Sequence, residues 1–130
     1  VFRPFNMYGG NDRFSVLSHM KRCHETNECF ELLNDGVSRR DFIHVRDVAE
    51  VVIRCLIESR LPIFLNVGTG KTTSVREILE VFSAVCPNIK VGHRTVDEVE
   101  YSRADTTRLK RILGDYQFRN VLDDVANLRF

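Results

Sequence analysis

Residues 63–86 constrain the fold more than any other stretch. The run Ile-Phe-Leu-Asn-Val (63–67) reads as a short buried strand, and Gly68-Thr69-Gly70 breaks it. Ser74-Val75-Arg76-Glu77 then forms a capping box, in which the serine and the glutamate three residues later each satisfy an orphan N–H at a helix start. From there Val75, Ile78, Leu79, Phe82 and Val85 recur with helical spacing, until Pro87 ends the helix. A strand, a glycine turn and a capped amphipathic helix in that order are a β–α unit, which commits this part of the chain to an α/β fold.

The same alternation extends in both directions. Val1 to Phe5 reads as a buried strand ended by Asn6 and the Tyr8-Gly9-Gly10 turn. Asn11 or Asp12 is expected to cap a helix reaching about residue 24, with Val16, Leu17, Met20 and Cys23 inward. Cys-Phe-Glu-Leu-Leu (29–33) reads as a strand, and Asn-Asp-Gly (34–36) as a hairpin turn into a return strand at about 40–45. Asp47 and Glu50 have capping-box spacing, which predicts a helix to about Ser59 with Val48, Val51, Val52, Cys55 and Leu56 buried. A short strand at Ile-Lys-Val-Gly (89–92), a polar loop over 94–104 and a helix over 106–113 stopped by Gly114 follow. Val121, Leu122, Val125 and Leu128 share one face of a last helix.

Composition narrows the function classes. Of 130 residues, 43% are hydrophobic and 28% charged, enough to bury a core, and the net charge of +1 argues against a general nucleic-acid or membrane-surface binder. No apolar run nears the roughly 20 residues of a membrane span, and no signal-peptide pattern appears. Cys23, Cys29, Cys55 and Cys86 form no compact disulfide framework, which predicts reduced thiols in a cytoplasmic protein. The chain opens in a strand with no initiator methionine, so the expectation is the C-terminal piece of a longer protein.

The local motifs mostly have bland readings. Gly-Thr-Gly-Lys-Thr (68–72) sits where a phosphate-binding loop would, but the first glycine of that pattern is replaced by Leu65 and the helix is capped too late, at Ser74. His19, Cys23, His24 and Cys29 lack the spacing of a zinc site, so no metal is expected. Neither a Gly-x-Gly-x-x-Gly fingerprint nor a Gly-x-Ser-x-Gly elbow occurs, and Tyr8, Tyr101 and Tyr116 each lack a lysine four residues on. These residues hold no recognisable catalytic centre.

Taken together, four blocks in order resemble the C-terminal half of the NAD-dependent nucleotide-sugar epimerases and dehydratases, the extended short-chain dehydrogenase/reductase family. Phe-Arg-Pro-Phe-Asn-Met-Tyr-Gly-Gly (2–10) resembles the sixth Rossmann strand and its turn. Asn34 to Val52 resembles the family's Gly-x-x-x-Arg-Asp-Phe/Tyr-hydrophobic-His-Val-x-Asp signature. Phe64 to Phe82 resembles the Asn-Val-Gly-Thr/Ser-Gly segment with its Ser-Val helix, and Ala104 to Gly114 the Ala-Asp-x-x-Lys helix, with Arg108 where lysine is common. The implied fold is α/β: the last Rossmann strand plus a small mixed substrate-binding lobe spanning 1–130, with the NAD-binding half outside this sequence.

The resemblance also implies roles. Arg40 and Arg94 match arginines that hold the diphosphate of a sugar nucleotide, Asn6 matches an asparagine reaching the same phosphates, and Phe5 a position beside the nicotinamide of NAD. Asp97 falls where a carboxylate orients Arg94 or a ribose hydroxyl; Val96 replaces a glycine there and the following interval is one residue longer, which makes Glu98 a second counterpart. In the segment Arg39 to Glu50, Asp47 is expected to cap, Phe42, Ile43 and Val45 to pack, His44 to be a satisfied core histidine, and Arg39 and Arg46 to be solvated. Arg40 is expected to grip phosphate, a planar fork on a rigid strand being preorganised for it; an ion pair with Asp41 or Asp105 is the alternative. The expected partner is a nucleotide-sugar substrate, with no nucleic acid or membrane, and a homo-oligomer is left open. Hydride chemistry would come from the missing half, the present chain alone being inactive. The competing readings are a non-catalytic nucleotide- or partner-binding module and an inactive remnant.

Overall fold

A computed structural model describes residues 1–58 and 60–130. Nine short strands and five helices alternate among them, with parallel pairing dominant. Strand β1 (Phe2–Pro4) pairs in parallel with β6 (Leu65–Val67), and β2 (Asn6–Tyr8) with β5 (Phe42–His44). The switch of partner occurs at Phe5 and Asn6, whose N–H groups bond the carbonyls of Val67 and Asp41 at 2.9 and 3.1 Å. Strand β3 (Cys29–Leu33) pairs in parallel with β8 (Lys90–Arg94). Strand β4 (Arg39–Arg40) is the middle of a three-stranded sheet, antiparallel to β7 (Thr73–Ser74) and parallel to β9 (Tyr101–Ser102).

The expected hairpin is therefore not formed. Asn34, Asp35 and Gly36 do take positive φ, so the turn chemistry is as expected, but they make a one-turn 3₁₀ segment. The chain that follows leaves β3, whose pairing partner β8 lies about 60 residues on. The first strand also forms but is exposed at all three residues, because it pairs on one edge only and no layer within the described residues covers its faces.

Two helices cap differently from the sequence reading. Helix α1 (Val16–Thr26) is capped by Ser15, whose hydroxyl accepts from Ser18 N–H at 3.1 Å, while Asp12 lies three residues before the cap and accepts from Ser15 N–H at 2.6 Å. Helix α2 (Val45–Ile57) is capped by His44, whose Nδ1 accepts from Arg46 N–H at 3.0 Å, not by Asp47, which lies inside the first turn. Glu50 pairs with Arg54 one turn on instead of reaching back to a cap. The expected end of α2 at Ser59 lies outside the described residues; the described helix ends at Ile57. Helix α3 (Val75–Val85) has the complete Ser74–Glu77 capping box and the expected bounds. Helices α4 (Thr107–Leu113) and α5 (Val121–Ala126) complete the fold, α4 ending at Gly114 with φ 61°.

Side chains alternate across β5, and this organises the interior. Phe42 joins a core with Leu17, Met20, Phe30, Ile78 and Phe82, between α1, β3, α3 and α5. Ile43 faces a second core with Val51, Cys55, Val67 and Leu109, between α2, β6 and α4. His44, 5% exposed, packs edge-on against Tyr8 at 5.1 Å, and a Cβ on Gly9 would come within 2.5 Å of its ring. Gly9 is thus required by a contact as well as by its φ of 96°. Burial is narrower than periodicity implies: Val45, Leu56 and Val85 are exposed at or near helix ends, and Leu128, expected on the last helix's apolar face, lies beyond α5 with φ 51° and is exposed. Cys23, Cys55 and Cys86 are buried and Cys29 exposed, all four as free thiols.

Candidate functional site

The charged approach to β5 resolves residue by residue. Asp41, wholly buried, separates β4 from β5. Its Oδ1 accepts from Thr69 N–H (2.9 Å) and Thr69 Oγ1 (2.7 Å), and its Oδ2 from Gly70 N–H (2.9 Å) and Ala104 N–H (3.1 Å). The glycine turn over 68–70 thus does cradle an anion, but the anion is the chain's own carboxylate. A Cβ on Gly68 would stand 2.8 Å from Asp41 Oδ2, so the close approach needs glycine. The carbonyl of the same Asp41 accepts from both the backbone N–H and the Nδ2 of Asn6, each at 3.1 Å.

Arg40 precedes this hub on the central strand of its sheet, pinned by pairing with Thr73 on one side and Ser102 on the other. Its guanidinium donates to Glu98 Oε2 at 3.1 Å and to the Arg39 carbonyl at 3.2 Å, with 16% of the side chain exposed. The alternative ion pair, with Asp41 or Asp105, is not made: Asp41 is occupied by three backbone N–H groups and the Thr69 hydroxyl, and Asp105 caps its own turn through Thr107. Glu98 Oε1 accepts from Ser38 Oγ (2.6 Å) and Asn34 Nδ2 (3.2 Å), and Asn34 ties down the same loop through Val96 N–H and carbonyl.

Arg39, expected to be solvated, is engaged instead. It donates to Glu77 Oε2 at 3.0 Å and to both the hydroxyl and the carbonyl of Thr72. Hydrogen bonds from Ser74 and the nearby guanidinium hold the Glu77 carboxyl below its usual range. Arg46 is exposed, as expected. Asp47 is buried and accepts from Tyr116 Oη (2.8 Å) and Arg119 N–H (2.9 Å), fastening the C-terminal segment to α2. Burial and that bond push the Tyr116 phenol up to about 12. Burial and the bond to Asp124 likewise raise Tyr8, and burial lowers His44.

Asn6 thus bonds the main chain of Asp41, the residue after Arg40, and Arg94 and Asp97 are exposed side chains. Arg94 ends β8 opposite Leu33, four residues before the glutamate that pairs with Arg40. Phe5 is half-buried between the two parallel pairs. A cleft of about 710 Å³ opens elsewhere, between Lys71, Thr106, Lys110, Tyr116 and Arg119, and none of Phe5, Asn6, Arg40, Arg94 or Asp97 lines it. Sequence reasoning missed Asp41 and understated Glu98, since both act through tertiary contacts. The one available signal for Asp41 was a glycine turn whose N–H groups needed an acceptor.

Residues 1–68 match the family model described as NAD dependent epimerase/dehydratase family. Among curated proteins, the chain is 31% identical over 91 residues to the GDP-L-fucose synthase of Azorhizobium caulinodans and 33% identical over 86 residues to the UDP-glucose 4-epimerase of Rhizobium meliloti. Each match covers 62% of this chain, and the chain spans 29% and 26% of those relatives. Among solved structures, an NAD-dependent NDP-hexosamine 5,6-dehydratase, TunA, superposes with a TM-score of 0.87 at 25% identity, covering 98% of this chain and 43% of that one. MoeE5, solved with UDP-glucuronic acid and NAD, superposes at 0.84 and 25% identity over 96% of this chain and 44% of its own. The fold is α/β and of the extended short-chain dehydrogenase/reductase, Rossmann type, the chain corresponding to under half of such an enzyme. With a family match over half its length and that fold throughout, the chain belongs to the NAD-dependent epimerase/dehydratase family.

Proposed function

We propose that residues 1–130 are the nucleotide-sugar-binding portion of an NAD-dependent epimerase or dehydratase of cytoplasmic sugar or polysaccharide biosynthesis. Arg40 takes the diphosphate, assisted by Asn6 and Arg94, while Asp97 orients Arg94 or a ribose hydroxyl. The observation that carries this reading is the setting of Arg40: a guanidinium fixed on a central strand, already paired with a carboxylate at 3.1 Å and still 16% exposed. A diphosphate carries about two negative charges and presents oxygens that an arginine fork meets bidentately. Pinning the backbone of Arg40 lowers the ordering cost of that contact. Binding energy gathered at the diphosphate would position a reacting carbon elsewhere on the sugar.

These residues do not fit the dinucleotide itself. Its pyrophosphate needs free N–H groups at a glycine turn, and those of Thr69 and Gly70 are taken by Asp41. Phe5 supplies one ring beside a nicotinamide at most, so NAD binding and hydride chemistry are assigned to sequence outside these residues, and this chain alone is expected to be inactive.

The test is a thermal-shift panel of UDP-, dTDP-, GDP- and CDP-sugars on the 130-residue chain. A raised melting temperature with at least one supports the reading; no response to any at millimolar concentration refutes it. A second reading, a non-catalytic module that binds a partner chain, is favoured by the exposed apolar residues Ile53, Leu56 and Ile57 on one helix and Ile63 after it. No described helix is long and apolar enough to cross a membrane.

A further inference from the structure

Glu98 has two differently held oxygens. Oε1 is fixed by neutral donors, the Ser38 hydroxyl at 2.6 Å and the Asn34 amide at 3.2 Å, on a turn that also clamps Val96. Among the described residues Oε2 meets only Arg40, at 3.1 Å. The anchoring of Glu98 therefore does not depend on Arg40, and Arg40 can turn away without leaving the carboxylate unpartnered. Arg40 in turn is held in its present orientation by that one oxygen and one carbonyl. A carboxylate oxygen and a phosphate oxygen make the same kind of charge-assisted contact with a guanidinium, so the two would compete for Arg40.

We propose that Glu98 is the affinity-setting residue of the nucleotide site: it holds the Arg40 guanidinium in the unliganded chain, and a diphosphate binds by displacing it. This rests on the nucleotide reading above. A ligand that needs Arg40 free binds with its intrinsic affinity multiplied by the fraction of chains in which Arg40 is free. A partly exposed pair holds that fraction down only moderately, so the site is tuned and not closed. A dianionic diphosphate outcompetes one fixed carboxylate because it brings more charge and a bidentate geometry.

The test is calorimetric titration of UDP into wild type, Glu98→Gln and Arg40→Ala. The glutamine keeps an acceptor for Ser38 and Asn34 and removes the competing charge. Glu98→Gln is expected to tighten UDP binding about three- to tenfold; unchanged or weaker binding overturns the proposal. Should the variant fail to fold, the Glu98 side-chain carboxyl of the wild-type chain is followed by ¹³C NMR. Saturating UDP must then shift that resonance, and an unmoved resonance overturns the proposal. Loss of UDP binding in Arg40→Ala with no gain in Glu98→Gln sinks this inference alone, whereas no UDP binding by any of the three chains sinks the nucleotide reading with it.

Discussion

Asp41 and Thr69, 28 residues apart, meet twice: the Asp41 Oδ1 accepts both the backbone N–H and the hydroxyl of Thr69. With Gly70 and Ala104 on the other oxygen, one buried carboxylate joins β4, the glycine turn and the segment leading to α4. Asp41→Ala is expected to destabilise the chain by at least about 3 kcal/mol, since it strands three backbone donors at roughly 1–3 kcal/mol each. Thr69→Ala keeps the backbone N–H on Asp41 and loses the hydroxyl's bonds to Asp41 and to the exposed Lys71 backbone, which should cost about 1–2 kcal/mol. Urea unfolding of both variants checks the order; equal small losses would remove Asp41 from the centre of the fold.

Tyr116 and Asp47 make a second long-range fastening, at 2.8 Å. Tyr116→Phe is expected to cost about 1.5–3 kcal/mol, the range for a hydrogen bond to a charged group. The pH dependence has a definite sign. The folded-state phenol lies near 12, above its unfolded value of 10, so its contribution is intact below pH 10 and is lost as pH rises from 10 towards 12. Tyr8, raised in the same direction, adds to that loss. The urea midpoint should therefore fall across this window in wild type and fall less in Tyr116→Phe. A midpoint that stays flat to pH 12 contradicts the assignment.

Ser74 and Glu77 stabilise the start of α3 reciprocally, Ser74 N–H donating to Glu77 Oε2 at 2.7 Å and Glu77 N–H to Ser74 Oγ at 3.1 Å. Ser74→Ala should cost about 1 kcal/mol. Because the Glu77 carboxyl is held below its usual value, its contribution is present above the ordinary carboxylate range and is lost as pH falls through the folded-state value. Acid unfolding of Glu77→Gln should accordingly be less steep than that of wild type.

Arg94 separates binding from stability. Its side chain is exposed at the end of β8, so Arg94→Ala should change unfolding free energy by no more than about 0.5 kcal/mol. If Arg94 serves the diphosphate, the same variant weakens UDP binding measurably. Unchanged affinity would leave the site to Arg40 and Asn6.

The parts that could be read from sequence are those with local causes. Helix α3 was legible because its Ser74 cap, apolar stripe and following Pro87 all lie within or directly beside it. The turn at Asn34, Asp35 and Gly36 was legible too, but not where the following chain goes, since parallel partners such as Leu33 and Arg94 carry no local signal of one another. His44 and Asp47 exchanged roles for the same kind of reason: the histidine ring nitrogen reaches the helix start, while Asp47 is drawn to Tyr116 and Arg119 of a distant segment. Asn6 and Arg40 were named from motif resemblance, whereas the hydrogen bonds that relate them run through the main chain of Asp41.

Comparing wild type and Arg40→Ala by calorimetric titration with UDP asks most directly whether this chain grips a diphosphate. The account predicts a loss of about 10- to 100-fold in affinity, the worth of a charge-assisted contact, with the fold retained by circular dichroism. Equal affinities for the two chains would contradict it.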